Sequence, residues 1–410
     1  MREASPVMTD GRDTVEPGRP LRVLQVIDSL GVGGAETWLM ALLRHWRSGA
    51  DDIRVDFLAT GGRADAFDEE ALDLGARIFH LRYGVGRLPS FRRGFRAILR
   101  DGGYQAVHDH QDYASGWHYL LGAGLLPPVR VTHVHNPAYQ IRNNYGTTLR
   151  RRLTARAGKG LVARYATHIL GTSREVLARY GFDEAPFART PAAALYCGFD
   201  PCRFRGDAAA LGEVRAEFGW PAGAIVVLFA GRFDISADID HPRNHKNSGF
   251  AVSVALEAVK RCENVRFIFA GAASPAVPVL RERIEAANAQ QRVAIVGVRR
   301  DIGRLMTASN ALLFPSREEG LGMVAVEAQA AGLPVLASTN VPRECVVIPE
   351  MVRFLDVADG AQAWTNALLS VARAPRADPA RANRLVAASP FAVAHSAAAL
   401  TRLYRGGALA

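Results

Sequence analysis

The segment Glu319-Gly-Leu-Gly-Met-Val-Ala-Val-Glu327 places two carboxylates around a pair of glycines. It follows an apolar run, Ala311 to Phe314, and the turn Pro315-Ser316. It opens a helix that stops at Gly332 with Pro334 behind it, a common helix ending. Gly320 and Gly322 leave backbone N–H groups bare at the helix start, where unpaired donors and the helix dipole favour an anion. Glu319 lies in the turn, beside any ligand held there, with Leu321, Met323 and Val324 in the same stretch. Glu327 falls about one and a half turns into the helix, where its carboxylate can accept hydrogen bonds from a diol. Two glutamates at this spacing are common by chance. The strand, glycine turn and helix around them carry the functional reading.

Two cations complete the set. Arg232, in Phe229-Ala-Gly-Arg, stands just past the apolar run Ala224 to Ala230. Lys246, in Asn244-His-Lys-Asn247, stands just before a helix that Asn247 or Ser248 can cap. A guanidinium fork and an ammonium point charge so placed can neutralise a diphosphate leaving group. In the first half, Gly31-Val-Gly33-Gly34-Ala-Glu36 follows the first strand and resembles a dinucleotide fingerprint, with Glu36 in place of the third glycine. It is therefore a poor cofactor motif. It serves either as a turn that lets backbone approach a phosphate or sugar, or as a plain strand-to-helix turn. In Val131-Thr-His-Val-His135-Asn136-Pro137, His133 and His135 face the same way if the strand persists. With His108, Asp109 and His110 a metal cluster is conceivable. A single cleft histidine, His135, is preferred, with His133 packed in the core.

These residues need a scaffold that brings strand ends together. Leu21 to Ile27, Ile53 to Leu58, Arg77 to Leu81, Ala106 to His108, Val129 to His135 and Ala166 to Gly171 read as strands, with helical stretches between them. The helical stretches are Ala35 to Trp46, Phe67 to Leu74, Phe91 to Arg100, and one capped by Thr172-Ser173 that runs to Tyr180. The pattern loosens around Asp200 to Pro221 and restarts with strands at Ala224, Val265, Val293, Ala311 and Pro334. Strand and helix in alternation imply an α/β protein with parallel sheets, and two such runs imply two domains with a cleft at the carboxyl ends of both sheets. The expected division is a disordered leader over 1–20, one α/β domain over 21–200 and a second over 201–385. A C-terminal helix from 386 to 410 is placed to cross back to the first half. Ala361 to Arg405 is Ala-rich and helical in pattern.

Composition narrows the class. At 410 residues the chain exceeds one ordinary core. No apolar run reaches the roughly 18 residues of a membrane span, and Met1 to Pro20 lacks a signal-peptide core, so the expectation is a cytoplasmic protein. The four cysteines are widely spaced and suggest neither a disulfide framework nor a zinc knuckle. The net charge of +10 suits an anionic partner, although an Ala- and Arg-rich composition accounts for most of it. The basic residues concentrate in Arg87 to Arg100 and Arg142 to Arg164, and they are not interleaved with stacking aromatics, which speaks against nucleic acid.

With these motifs in hand the sequence resembles the retaining, GT-B-fold glycosyltransferases of family four, nearest to those of capsular and exopolysaccharide assembly. The resemblance runs from Leu21 to about Asp356 and rests on Glu319 to Glu327, Gly231-Arg232, Lys246-Asn247, Gly33-Gly34-Ala-Glu36 and Val131 to Asn136. It implies two Rossmann-like domains with parallel sheets facing across a cleft. It implies that Glu319 contacts sugar hydroxyls, Glu327 the ribose, and the amides of Gly320 to Val324 the sugar and phosphate. Arg232 and Lys246 would stabilise the departing diphosphate, His135 would touch the sugar, Gly33 and Gly34 would approach the donor, and Val298-Arg299 would flank the base. A nucleotide-sugar donor follows, uridine before guanosine, together with a glycan or polyprenyl-linked acceptor, peripheral membrane association and no metal cofactor. The sequence departs from the family at Phe233 to His245, which separates Arg232 from Lys246. Either this is an inserted cleft loop, or Arg243 shares the role of Lys246. Its acidic residues, Asp234, Asp238 and Asp240, could in principle hold a metal. A nucleotide-sugar epimerase of the same fold and a non-catalytic partner subunit stand as alternatives.

Overall fold

The computed structural model describes residues 20–49, 52–136, 141, 148–182, 189–205, 209–234, 236–239, 241 and 244–408. The leader, Pro137, Arg142, Asp240 and Arg243 lie outside the described residues. Two fully parallel sheets organise the rest. The first contains β1 (Leu21–Ile27), β2 (Ile53–Ala59), β3 (Ile78–His80), β4 (Ala106–Asp109), β5 (Val129–Val134), β6 (His168–Gly171) and β7 (Ala192–Ala194), in the order β3-β2-β1-β4-β5-β6-β7. The second contains β8 (Ile225–Ala230), β9 (Val265–Ala270), β10 (Val293–Gly297), β11 (Ala311–Phe314), β12 (Val335–Ser338) and β13 (Val352–Leu355), in the order β10-β9-β8-β11-β12-β13. Near-continuous apolar runs such as Ile225–Ala230 form these strands because helices cover both faces, and each sheet is buried on both sides.

Strand order reverses between β1 and β4 and between β8 and β11. Such switch points open a crevice at the carboxyl ends of the strands. Arg232 follows β8 and Glu319 follows the neighbouring β11, so the second switch point brings together two motifs that lie far apart in sequence. Gly33 follows β1, His110 follows β4 and His135 follows β5 at the first.

The chain passes between the halves at Phe199 and returns at Ala392. The two crossings pair: the Phe199 amide donates to the Phe391 carbonyl at 3.0 Å and the Val393 amide to the Phe199 carbonyl at 2.8 Å. The Ala361 to Arg405 stretch is three helices, Gly360–Arg373, Pro379–Ala387 and Val393–Tyr404. Pro375 and Pro390 lie between them, and Asp378 caps the second through the amides of Ala380 and Arg381. The Val393–Tyr404 helix lies on the Gly34–Ser48 helix of the first half, where Trp38 Nε1 donates to Ser396 Oγ and Trp46 Nε1 to Thr401 Oγ1. Helix Ala114–Gly122 carries no clear sequence signal. Gly116 lets the Leu149–Tyr165 helix approach, since a Cβ there would lie 2.3 Å from the Gly158 carbonyl.

Candidate active site

Glu319 Oε1 accepts from Lys246 Nζ at 2.6 Å and from Ser316 Oγ at 2.7 Å, so the structure joins the two motifs directly. Both side chains of the ion pair are largely buried. Each holds the other in place in the absence of ligand, leaving a cation and a carboxylate beside the glycine turn. Gly322 caps the Met323–Ala330 helix at φ +88°, a conformation that disfavours side chains, and a Cβ there would also meet Val341. Gly320 is required by close approach: a Cβ would lie 2.7 Å from the His135 carbonyl of the opposite half. The face of the helix left partly open consists of Met323, Val324 and Glu327, while Ala325, Val326 and Ala328 to Ala330 are buried. The Glu327 carboxylate makes no hydrogen bond among the described residues, although the residue's backbone carbonyl accepts from the Ala331 amide. Burial pushes its carboxyl up to about 7, against a smaller opposing effect of Arg203. It is a strong acceptor held ready without a partner.

What holds Lys246 differs from the expectation. Asn247 stands at the helix N-terminus with φ +58° and makes no capping bond, and its side-chain amide instead donates to the Pro315 carbonyl at 3.1 Å. Asp234, within the inserted segment, does the capping from a distance. Its Oδ1 accepts the Lys246 and Asn247 amides at 3.1 Å each, and its Oδ2 accepts both the amide and the hydroxyl of Ser248 at 2.6 Å. A carboxylate so occupied has little left for a metal. Asp234→Ala should lower stability by about 3 kcal/mol, because three amides lose their acceptor in the interior. A fall in the thermal unfolding midpoint well beyond that of a surface control would show it.

Arg232 is exposed and makes no hydrogen bond or ion pair among the described residues. It faces Glu36 of the other half closely enough to lower that group's pKa. Burial is the larger influence and leaves the Glu36 carboxyl raised, with its own amide opposing and Asp28 and Asp65 adding to the rise. The Glu36 carboxylate folds back over the turn, so a Cβ on Gly33 would lie 2.2 Å from Oε2. The departure from the dinucleotide fingerprint thereby gains a physical meaning. The helix N-terminus behind Gly33 and Gly34 already carries its own carboxylate.

His135 lies just past β5, partly exposed, and the histidines around it form one group. His110 Nδ1 is 2.9 Å from His135 Nε2, and His108 Nε2 is 3.2 Å from His133 Nδ1. Burial drives His135 down to about 3, so it is neutral at any ordinary pH. His108, His110 and His133 have ring nitrogens within 4.8 Å of one another, close enough to be considered as metal ligands. The geometry favours hydrogen bonds. The His108 and His133 ring planes are parallel within 2° with centroids 5.3 Å apart, and the facing nitrogens are in hydrogen-bond contact at 3.2 Å. Asp109 leaves the group, since strand alternation turns it to the other face, where it pairs with His118 at 2.7 Å.

Sequence reasoning missed the residues that carry the contact between the halves. Ser173 caps its own helix and its hydroxyl also donates to the Gly320 carbonyl at 2.6 Å. Glu344 accepts from the Arg174 amide at 3.2 Å and from Tyr196 Oη at 2.8 Å, and Arg179 pairs with Glu318 at 2.9 Å. Asp112 holds Asn136 at 2.6 Å beside His135. Val298 is exposed at the end of β10. Arg299 is bound by Glu217 at 2.6 Å and Asp301 at 2.7 Å, so its guanidinium is already committed.

Two parallel α/β halves meet here, with a cation–carboxylate pair, a glycine turn and an unpartnered glutamate side chain gathered at the second switch point. Comparison with known proteins gives the class. Residues 32–203 match the family described as Glycosyltransferase Family 4 and residues 224–373 the one described as Glycosyl transferases group 1. The chain belongs to the family-four glycosyltransferases, with the GT-B fold. EpsF of Bacillus subtilis, described as a glycosyltransferase, is 28% identical over 87% of this chain and 88% of its own. D-inositol 3-phosphate glycosyltransferase of Xylanimonas cellulosilytica is 25% identical over 87% and 86%. Among solved structures, Anabaena HepE in complex with UDP and glucose superposes with a TM-score of 0.71 at 17% identity, covering 93% of this chain and 98% of that one. WaaG, a glycosyltransferase of lipopolysaccharide biosynthesis, superposes with a TM-score of 0.63 at 16% identity, covering 94% of both.

Proposed function

We propose that this glycosyltransferase moves a hexose from a nucleoside diphosphate sugar, uridine before guanosine, to a glycan or polyprenyl-linked acceptor in polysaccharide assembly, with retention of anomeric configuration and without a metal. The observation that carries it is the Lys246–Glu319 pair beside the Gly320–Gly322 turn, with Glu327 unpartnered one helix face away. Arg232 and Lys246 neutralise the departing diphosphate, the turn amides hold phosphate and sugar, Glu319 accepts from sugar hydroxyls and Glu327 from the ribose diol. The acceptor hydroxyl attacks from the face the diphosphate leaves, and leaving-group electrostatics supply most of the acceleration. The complexes of HepE with UDP and glucose support the choice of donor by analogy, and WaaG, involved in lipopolysaccharide biosynthesis, supports the choice of pathway.

A thermal-shift panel of nucleoside diphosphates and their sugars, with and without EDTA, tests the donor site. Ligands that bind only the folded state raise its melting point. The expected result is stabilisation by one base family, unaffected by EDTA and lost in Lys246→Ala and Glu327→Ala. No shift with any nucleotide would overturn the reading. Product formation only when an acceptor is present separates transfer from epimerisation.

The acceptor half supports a lipid-linked substrate at the cytoplasmic face of a membrane. The Leu88–Gly102 helix buries Phe91, Phe95 and Leu99 and turns Arg92, Arg93 and Arg100 outward. Beside it a groove of about 850 Å³ is lined by Leu88, Arg96, Leu121 and Leu125 among others. The second basic stretch exposes Leu149 and Leu153 next to Arg150 and Arg152. No helix among the described residues is long and apolar enough to cross a membrane. Each arginine near an anionic surface adds about 1 kcal/mol. The protein should therefore float with phosphatidylglycerol vesicles, not with pure phosphatidylcholine, and the doubly substituted Arg92→Glu, Arg93→Glu protein should lose more than tenfold in affinity. Flotation unaffected by lipid charge or by these substitutions would sink the membrane role.

A further inference from the structure

The histidines behind the cleft form a continuous chain of hydrogen bonds that reaches the last helix of the protein. His135 Nε2 meets His110 Nδ1 at 2.9 Å, and His110 Nε2 meets Gln25 Oε1 at 2.8 Å. Gln25 Nε2 meets Tyr404 Oη at 3.1 Å, Tyr404 Oη meets His108 Nδ1 at 2.6 Å, and His108 Nε2 meets His133 Nδ1 at 3.2 Å. Gln25, His108, His133 and Tyr404 are all within 1% of complete burial, so no water competes for these positions.

Donors and acceptors in such a chain must run one way. With the Gln25 oxygen toward His110, the His110 proton is on Nε2, and its Nδ1 must accept. His135 must then carry its proton on Nε2 and present Nδ1 as an acceptor. At the other side, the Gln25 amide donates to Tyr404, whose hydroxyl proton goes to His108, and His108 donates to His133. Neither end opposes this direction. His133 Nε2 has no hydrogen-bond partner among the described residues. His135 Nδ1 faces the Cys197 thiol at 3.8 Å, and burial pushes that thiol up to about 12, so it stays a donor. All four histidines are held neutral by burial, so tautomer rather than charge is the variable.

We propose that Tyr404, acting through Gln25 and His110, is a positioning residue that locks His135 in the tautomer whose Nδ1 is an acceptor, with only the Cys197 thiol at 3.8 Å facing it. This rests on the reading that His135 touches the donor sugar, and gives that contact a polarity: His135 accepts a hydrogen bond from a sugar hydroxyl that replaces the long thiol contact. It also gives the returning helix a chemical task besides packing. Trp38–Ser396 and Trp46–Thr401 fix the helix, and Tyr404 Oη is the one group on it that both accepts from Gln25 and donates to His108. Without that hydroxyl the Gln25 amide is free to turn over. A turned amide donates to His110, moves its proton to Nδ1 and leaves His135 with the proton on Nδ1 instead.

The test uses the full chain with Tyr404→Phe, which keeps the buried ring, and His135→Ala beside it. Two-bond proton–nitrogen spectra of histidine-labelled protein report which ring nitrogen bears the proton. Wild type should show His135 protonated on Nε2, and Tyr404→Phe should show it mixed or reversed. Transfer should lose about tenfold in kcat, with nucleoside diphosphate affinity unchanged because Arg232, Lys246 and Glu327 are untouched. Gln25→Glu, which supplies only acceptor oxygens toward His110, should keep the His135 tautomer. A wild-type His135 protonated on Nδ1, or a tautomer unmoved in Tyr404→Phe, overturns the proposal. If the tautomer responds but His135→Ala transfers sugar normally, the wiring stands and the sugar contact is what fails.

Discussion

Arg232→Ala is expected to lower kcat by about 10²- to 10³-fold, the usual cost of losing one preorganised group that stabilises developing charge. The side chain is exposed and takes no part in hydrogen bonding or ion pairing among the described residues, so the fold should hardly register its loss. A surface substitution of this kind changes stability by no more than roughly 0.5 kcal/mol. The combination separates catalysis from folding: a large fall in turnover with an unchanged melting temperature. Lys246→Ala should lose turnover on a similar scale but also lower the melting temperature, because it leaves Glu319 without its counter-ion in a mostly buried position. Steady-state kinetics with calorimetry on both variants decide the matter. An Arg232→Ala enzyme within threefold of wild type, against the roughly 10²-fold expected, would remove it from the leaving-group site.

Glu327→Gln should weaken donor binding by about 2 kcal/mol, roughly thirtyfold, because a carboxylate accepts stronger hydrogen bonds from a diol than an amide does. It should also abolish a pH dependence. Unliganded Glu327 titrates near 7, raised by burial. A diol donating to the carboxylate stabilises the ionised form, so the pKa falls in the complex and binding releases a proton. Affinity then falls as pH drops below 7, by up to about tenfold per unit, and is constant above it. The same raised value means that the stability of the unliganded protein, full below the ordinary carboxyl range, declines as pH rises through about 7. Glu327→Gln should thus melt above wild type at pH 8 and equal to it at pH 4. Calorimetric titration with a nucleotide sugar suits the test, since its diphosphate carries no group that titrates in this range and His135 is neutral throughout. An affinity independent of pH in the wild type would place Glu327 away from the donor.

The legibility of this protein in its sequence follows from how local each signal is. Strands such as Leu21–Ile27 and Ile225–Ala230 were legible because burial on both faces demands an unbroken apolar run. The Glu319–Glu327 turn was legible because glycines, carboxylates and helix start are contiguous. Helix Ala114–Gly122 was not, since the face it leaves partly open (Ala114, Trp117, Leu120 and Leu121) is as apolar as the one it buries, so no amphipathic period shows. The cap on the helix after Lys246 was read locally, as Asn247 or Ser248, whereas the acceptor is Asp234, twelve or more residues upstream. An aspartate in a loop gives no hint of which amides it will meet.

From sequence alone came the two α/β halves, the family resemblance and the set of charged residues around the second switch point, because residue type and short-range spacing already dictate these. Tertiary structure alone decided that Lys246 and Glu319 are one ion pair, that Glu36 fills the turn once compared with a phosphate site, and that Ser173 joins the halves at Gly320 and Glu344 at the Arg174 amide. It alone placed Tyr404 behind His135. Each of these depends on which strand ends a sheet order brings side by side, and a hydrogen bond formed only within about 3 Å leaves no trace in the spacing of residues hundreds of positions apart.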